Sequence, residues 1–435
     1  MSDSADTSAD DKEYILVTEY FHPDTASTGQ LMTDLATGLE ERGLDLTVYT
    51  GQPNYHSGEN QKQPTESVFE NVLVKRIRAP QMRQSSLARR LLNWAVFTVW
   101  MSVRLLVSQS DRERELIFVT CPPTLPVAMW MICTLRDWEY TYIAYDLYPD
   151  EPVELGYLNE EGLVHRLWEG LDAIAFENAK RIVALGPVMK DRIAAKTGPD
   201  FDRNKIHIIH NWEDEEFIEP KTKEENWFSK EHDLVEPFTV LYSGNIAEFH
   251  NLETLIKAAA KFDDENVRFL IIGEGDNKET IVSMAEERGI RGDTVQFLPY
   301  QSWDDLPYSL TSADVSVVAV NEGFEGIVVS SKIYTAMAAG MSILGITQPY
   351  DDEATIIETF DAGFHAEQGD VEGVVEAIET WREHPELVDA QGQNARAAFE
   401  EYFTKTQSID RYYRMLTDEE IEADVTRTAT VQAAT

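Results

Sequence analysis

The sequence predicts an α/β protein built from two doubly wound domains. Three observations carry that prediction. At 435 residues the chain is too long for one compact core and suits two domains of roughly 200 residues each. Short β-branched and aromatic runs alternate with helical stretches, which implies parallel sheets with helical crossovers. The alternation stops in a charged segment, 213–235, and then starts again.

The first series opens with a strand at Tyr14–Thr18 and a helix from Gln30 to Arg42 that ends at Gly43. Strands follow at Leu46–Thr50, Leu116–Thr120, Tyr142–Tyr145, Arg181–Leu185 and Ile206–Ile209. The second series places strands at Thr239–Tyr242, Val267–Ile272, Thr294–Phe297, Val315–Val318 and Ser342–Ile346. The domain plan is a disordered leader (1–11), a first domain (12–212), a linker (213–235), a second domain (236–393), a helical stretch (394–420) and a disordered tail (421–435). In doubly wound sheets ligands bind at the carboxyl ends of the strands, so the loops there are the ones to search.

Composition narrows the function. There are 37 basic and 78 acidic residues, a net charge of −41, and the acids run along the whole chain. Self-repulsion of that size suits a cytosol of molar salt, where the screening length falls to about 3 Å. Nucleic-acid binding is disfavoured by the same charge. The two cysteines, Cys121 and Cys133, lie in apolar segments without CxxC spacing and read as core residues of a reducing compartment. No signal peptide and no run of 18 uncharged apolar residues is present, so no membrane span is expected.

The loop residues point to an anion. Gly326–Gly340 reads as a turn entering a short helix, with Ser330, Ser331 and Lys332 at its start. Unpaired backbone N–H groups, the helix dipole and the Lys332 charge together suit a nucleotide diphosphate. A lysine on an ordinary crossover helix is the simpler alternative. Thr28-Gly29-Gln30 enters the first helix, where Gly29 permits close approach of a ligand, although a capping Ser27 or Thr28 accounts for the same residues. Asp146 follows a strand end in Tyr145-Asp-Leu-Tyr-Pro149, and Gly244-Asn245 and Gly273-Glu274-Gly275 follow two more. One Gly-x-Gly is weak evidence by itself. Asp200-x-Asp202 lies away from a strand end, so no metal site is expected.

Taken in order, these motifs resemble family 4 retaining glycosyltransferases, in the branch that includes colanic-acid and other surface-polysaccharide transferases. The resemblance runs through Thr28-Gly29-Gln30, Pro53-Asn54-Tyr55, Asp146-Leu-Tyr-Pro149, Asn211-Trp212, Ser243-Gly-Asn-Ile246, Gly273-Glu-Gly275 and Ser331-Lys-Ile-Tyr334. It implies the GT-B fold, a cleft between the two domains, a helix at 394–420 that returns to the first domain, retention at the anomeric centre and no obligatory metal. It also implies donor contacts by Gly29, Gly244, Asn245, Gly273, Glu274, Ser330, Ser331 and Tyr334, with Lys332, Asp146 and Glu322 at the reacting centre. Four departures matter. Tyr145 stands where many members have His, and Asn245 and His250 stand where many have Arg and Lys. The family's paired glutamates fall on Ile327 and Thr335, which leaves Glu322 or Glu325 to reach the sugar from the preceding loop.

Between Lys75 and Ser110 there is no acidic residue, and the window holds seven cations with a Trp-bearing apolar stretch. Arg83, Arg89, Arg90 and Trp94 are therefore the expected contacts with an anionic membrane surface, against the alternative of a buried crossover helix. The expectation is a cytoplasmic hexosyltransferase, peripherally attached to the cytoplasmic face of the membrane. It uses a nucleotide-diphosphate sugar as co-substrate, with no other cofactor, and a lipid-phosphate-linked glycan as acceptor. A nucleotide-sugar 2-epimerase and a catalytically silent binding subunit are the alternatives.

Overall fold

A computed structural model describes residues 12–24, 26–53, 62–77, 87–250, 252–262, 266–292 and 294–426. The expected leader, 1–11, and Arg83 lie outside the described residues. The chain divides into two compact units. The first holds the residues up to Leu185, then Lys190–Ile209 and Ile409–Ala423. The second holds Gly186–Met189, His210–Ser408 and the residues from Asp424 on.

The first unit is an eight-stranded sheet of β1 (Glu13–Thr18), β2 (Leu46–Thr50), β3 (Glu66–Phe69), β4 (Val72–Arg76), β5 (Arg114–Val119), β6 (Glu139–Ile143), β7 (Arg181–Ala184) and β8 (Ile206–Ile208). The spatial order is β3-β4-β2-β1-β5-β6-β7-β8, parallel except for the β3–β4 pair. Its central strands are buried on both faces, which is why they read as unbroken apolar runs rather than alternating ones. Its helices are α1 (Ser27–Glu41), α2 (Leu87–Val107), α3 (Leu125–Arg136), α4 (Asp150–Glu154), α5 (Leu163–Asn178) and α6 (Pro187–Lys196). The step from β1 to β2 runs one way across the sheet, whereas β4 to β5, β5 to β6 and β6 to β7 run the other way. Right-handed crossovers therefore put α1 on one face and α2, α3 and α5 on the opposite face.

The β3–β4 hairpin is an addition to the sequence reading. Its turn is Glu70-Asn71, both with positive φ, a conformation that Asn-Gly would have announced and Glu-Asn does not. At the amino ends of the strands, buried Glu115 accepts from Arg181 Nη1 (2.6 Å), Lys12 Nζ (3.2 Å) and Thr141 Oγ1 (2.8 Å). Arg181 also pairs with Asp418, and Tyr14 Oη donates to the Leu416 carbonyl (3.1 Å), so this network holds residues 409–423 onto the first unit.

The second unit is a six-stranded parallel sheet of β9 (Phe238–Ser243), β10 (Val267–Ile272), β11 (Val295–Leu298), β12 (Val315–Ala319), β13 (Ser342–Ile346) and β14 (Gly363–Ala366), in the order β11-β10-β9-β12-β13-β14. Val240 and Tyr242 face one apolar layer and Leu241 the other, the two-residue period of a strand covered on both sides. Its helices are α7 (Trp227–Glu231), α8 (Leu252–Ala259), α9 (Lys278–Glu287), α10 (Leu306–Leu310), α11 (Lys332–Ala338), α12 (Asp352–Thr359), α13 (Val371–Glu383) and α14 (Pro385–Ala398), whereas α15 (Lys405–Leu416) belongs to the first unit from Ile409 on.

Three expected boundaries change. Segment 213–235 is packed within the second unit: Ile218, Phe228 and Leu234 are buried in its core, anchors that its charge obscures. The stretch 394–420 is two helices. A π-helical turn at Phe399–Phe403 and extended Thr404 separate them, because Phe399 and Phe403 turn into the core. Residues 421–426 of the expected tail are placed as well. Asp424 accepts from His210 Nε2 (2.8 Å), and Asp424 and Thr426 are hydrogen-bonded to each other.

Candidate functional site

In the second unit the chain leaves β9 toward β10 and β11, then returns to β12 on the other side of β9. The carboxyl ends of β9 and β12 are therefore the switch point of the sheet, where a crevice opens. The loops that follow these strands are tied together. Asn321 N–H donates to the Phe249 carbonyl (2.8 Å), Asn321 Nδ2 to the Glu248 carbonyl (2.7 Å), and the Phe249 and Phe324 rings stack.

Lys332 crosses this point. Its Nζ lies 3.2 Å from His250 Nε2 and 5.3 Å above the centre of the Tyr242 ring. A Cβ on Gly244 would sit 2.6 Å from Lys332 Cε, and Gly244 has φ +136, so glycine at that position is what lets the lysine pass. Burial lowers the Lys332 ammonium to about 8, against the opposing charge of Glu353. Burial, and next the Lys332 charge, holds His250 well below the usual histidine range. The pair thus carries one positive charge near neutrality, borne by Lys332. Asn245 is exposed at the mouth of the loop, and its carbonyl accepts from Tyr242 Oη (2.6 Å).

Behind the lysine is a set of acids that the sequence reading passed over. Ser330 N–H donates to Glu353 Oε1 (2.5 Å), and Glu353 is hydrogen-bonded to Asp351. Two buried carboxyls can share such a bond only with a proton between them. Burial raises Glu353 to about 7 and Asp351 well above the carboxylate range. Asp352, also buried, accepts the Val188 N–H (2.9 Å). The available signal was three consecutive acids, Asp351-Asp352-Glu353, directly after strand β13 and opening a helix.

The remaining expected donor residues divide. Ser330 and Ser331 sit beside Lys332 as expected, Ser330 buried and Ser331 half-buried. Glu322 is exposed, whereas Glu325 is buried with both carboxylate oxygens on the Gly323 N–H (3.0 and 3.1 Å). Tyr334 is corrected from a donor contact to a core residue: it is fully buried, with its hydroxyl 3.3 Å from His210 Nδ1. Gly273 and Gly275 are both required by the packing of the chain on itself. A Cβ on either would fall 1.9 Å from the Gly244 oxygen or 2.2 Å from the Ile246 oxygen. The Glu274 carboxylate is paired with Lys278 (2.7 Å). Gly29 is likewise filled by its own unit, with Tyr20 Cβ 3.1 Å from where its Cβ would be.

The first unit has its own switch point, at the carboxyl ends of β1 and β5. Glu19 follows β1 and Cys121 follows β5, with Sγ 3.8 Å from Glu19 Oε2. Burial raises Glu19 to about 7. Asp146, after β6, is raised to about 8 by burial and then by the neighbouring Glu151 charge. Burial raises Glu151 as well, and the charges of Glu19, Asp146 and Glu151 all bear on the Cys121 thiol. The Arg90 charge opposes the rise at both glutamates. Arg90 covers the Trp94 ring at 5.3 Å, and Trp94 Nε1 is buried. Trp94 is half-buried, with its Nε1 turned inward and its ring under exposed Arg90. Trp100, half its surface open, stands on the outer side of α2. Arg89 is exposed near the start of that helix.

Comparison with known proteins agrees with this architecture. Residues 223–398 match the family Glycosyl transferases group 1. The chain is 26% identical over 358 residues to the putative colanic acid biosynthesis glycosyl transferase WcaI of Escherichia coli K12, covering 78% of this chain and 84% of that protein. Sucrose-phosphate synthase from Thermosynechococcus elongatus superimposes with a TM-score of 0.71 at 14% identity, over 94% of this chain and 99% of the other. Anabaena HepE in complex with UDP gives 0.70 at 12%, over 93% and 100%. The chain has the GT-B fold, its residues 223–398 match the Glycosyl transferases group 1 family, and it resembles a putative glycosyl transferase of colanic acid biosynthesis along most of its length.

Proposed function

We propose that the protein is a retaining glycosyltransferase of family 4 that moves a hexose from a UDP-sugar to a lipid-linked glycan or surface-polysaccharide acceptor. The observation that carries this is Lys332, a lysine threaded past Gly244 to the switch point of the second sheet. One buried cation there is suited to a diphosphate, and a diphosphate is the leaving group of such a transfer. The acceptor hydroxyl oxygen forms the new bond to the anomeric carbon as the bond from that carbon to the diphosphate oxygen breaks. The hydroxyl proton passes to the departing diphosphate. Lys332 stabilises the charge that develops on the leaving oxygen. The family's glutamate pair is absent, and the buried Glu353 and Glu325 stand in the same region of the second unit. They hold the Ser330 and Gly323 backbone in place.

A donor in complex with HepE supports the UDP reading, since that structural relative binds UDP-glucose. Work in a salt-rich cytoplasm, at the inner face of the membrane, agrees with the acid-rich composition and the cationic window. The test is a radiolabelled donor panel of UDP-, GDP- and dTDP-sugars, incubated with membrane lipids in molar KCl. Label in the lipid fraction with one donor, and its loss in Lys332→Ala, is the expected result. An epimerised donor or no turnover with any donor would replace this reading with an epimerase or a silent subunit.

A further inference from the structure

The outer sides of three neighbouring helices in the first unit are apolar. On α2, the exposed positions Leu92, Val99 and Val103 follow one another at helical spacing, while Phe97, Met101 and Leu105 point to the sheet. Leu135 on α3 is 71% exposed, and on α5 Leu163 is 83% and Leu167 66% exposed. The three connections run in the same direction across the sheet, so these helices share one face. A surface helix of a soluble domain normally turns such residues inward. Here three adjacent ones carry apolar residues outward as well as inward, in a chain whose net charge is −41.

The α2 segment Ala88–Val107 is long and apolar enough to cross a membrane by composition, with a mean hydropathy of 1.3. Its inner side is sheet core, so it lies along the sheet and cannot leave it. Arg89 and Arg90 stand near one end, Arg90 over the Trp94 ring, and Arg104 near the other, 3.5 Å from Glu66 of β3, with no acid on the helix itself. That is the layout of an interfacial helix, with apolar side chains below and cations at headgroup level.

We infer that the α2–α3–α5 face inserts into the surface of an anionic lipid bilayer, and that burial of its apolar side chains holds it there more than its arginines do. The inference deepens the membrane attachment proposed above. Charge attraction fails at molar salt, where the screening length is about 3 Å. Apolar burial does not, and salting-out strengthens it. The two contributions therefore separate by salt.

The test is flotation of the full chain with phosphatidylglycerol vesicles at 0.2 and 2 M KCl, without any nucleotide sugar. Wild-type protein is expected to float at both salts. The fourfold variant Leu92→Gln, Val99→Gln, Leu163→Gln, Leu167→Gln changes only exposed positions and is expected to partition at least tenfold more weakly at 2 M. Arg89→Gln with Arg104→Gln is expected to weaken binding at 0.2 M and leave it within twofold of wild type at 2 M. Thermal melting of each variant confirms that it folds. Release of wild type at 2 M, or a fourfold variant that floats like wild type, overturns the inference. So does a concentration-dependent dimer by light scattering that the fourfold variant abolishes while vesicles leave it intact, because the face would then belong to a second copy. Failure here leaves the sugar-transfer reading standing, since no donor takes part.

Discussion

The affinity of the second unit for UDP should fall steeply above pH 8, and Lys332 should be the cause. In the free protein burial lowers its ammonium to about 8. A diphosphate beside it would draw the proton back and raise that value. Binding between pH 8 and 10 must then take up a proton. Protonated Lys332 falls from about nine-tenths of the population at pH 7 to about one-tenth at pH 9. The affinity should therefore drop about tenfold between these two values, or about 1.4 kcal/mol. The ligand itself contributes nothing to that slope, because a terminal phosphate with a pKa near 6 is ionised at both values. His250 contributes nothing either, since burial keeps it neutral throughout. The assay is calorimetric titration with UDP at pH 7 and 9, in two buffers of different ionisation enthalpy at molar KCl. Wild type should show proton uptake at pH 9, and Lys332→Met should bind weakly with a flat profile. Equal affinity at both pH values, or a lysine-free variant with the same slope, would refute the argument.

Three further outcomes follow from contacts described above. Glu353→Gln keeps an acceptor for Ser330 N–H and gives Asp351 a donor that needs no shared proton. A carboxyl raised from 4.5 to about 7 loses stability as pH climbs through that window. The variant should therefore gain up to roughly 3 kcal/mol at pH 8 and little at pH 4, measured by denaturant melts at both. Gly273→Ala places a methyl 1.9 Å from the Gly244 oxygen at φ +146 and should cost more than about 3 kcal/mol, read as insoluble or early-melting protein. Arg181→Ala leaves Glu115 buried with Lys12 as its nearest remaining cation, and should cost about 3–5 kcal/mol in a denaturant melt.

Strands were legible where burial on both faces wrote them as apolar runs. Val267–Ile272 and Ser342–Ile346 stand as expected from the sequence. The β3–β4 hairpin and β14 were not legible: each strand is short and only partly covered, and no Asn-Gly or Asp-Gly marks the hairpin turn. The charged segment 213–235 misled for a related reason. Three buried side chains anchor it, and they are scattered too widely to form a period. At the site, Lys332 and Gly244 were visible as motif residues, but the reason for Gly244 was not, because the lysine it makes room for is 88 positions away. Tyr334 and Gly273 were visible as motif residues, but the chain atoms packed around them were not. A motif shows that a position is constrained. Whether a ligand or the chain's own backbone supplies the constraint is a matter of three-dimensional neighbours. The Asp351–Glu353 pair was hidden because acids at a helix start look like ordinary capping.

The amino-terminal unit of this chain cannot be completed before most of the second unit has been made. Ribosomes usually release an amino-terminal domain that can fold before the next one is made. Here Leu416 and Asp418 bind Tyr14 and Arg181, and Ile409 packs against Gly38. The first unit therefore stays unfinished until residues 409–418 have been made, and His210 of the second waits a few residues longer for Asp424. A gene cut after residue 209 should yield a fragment with the Gly38 seam open and Arg181 short of one acid. Adding residues 405–426 as a separate peptide should restore it.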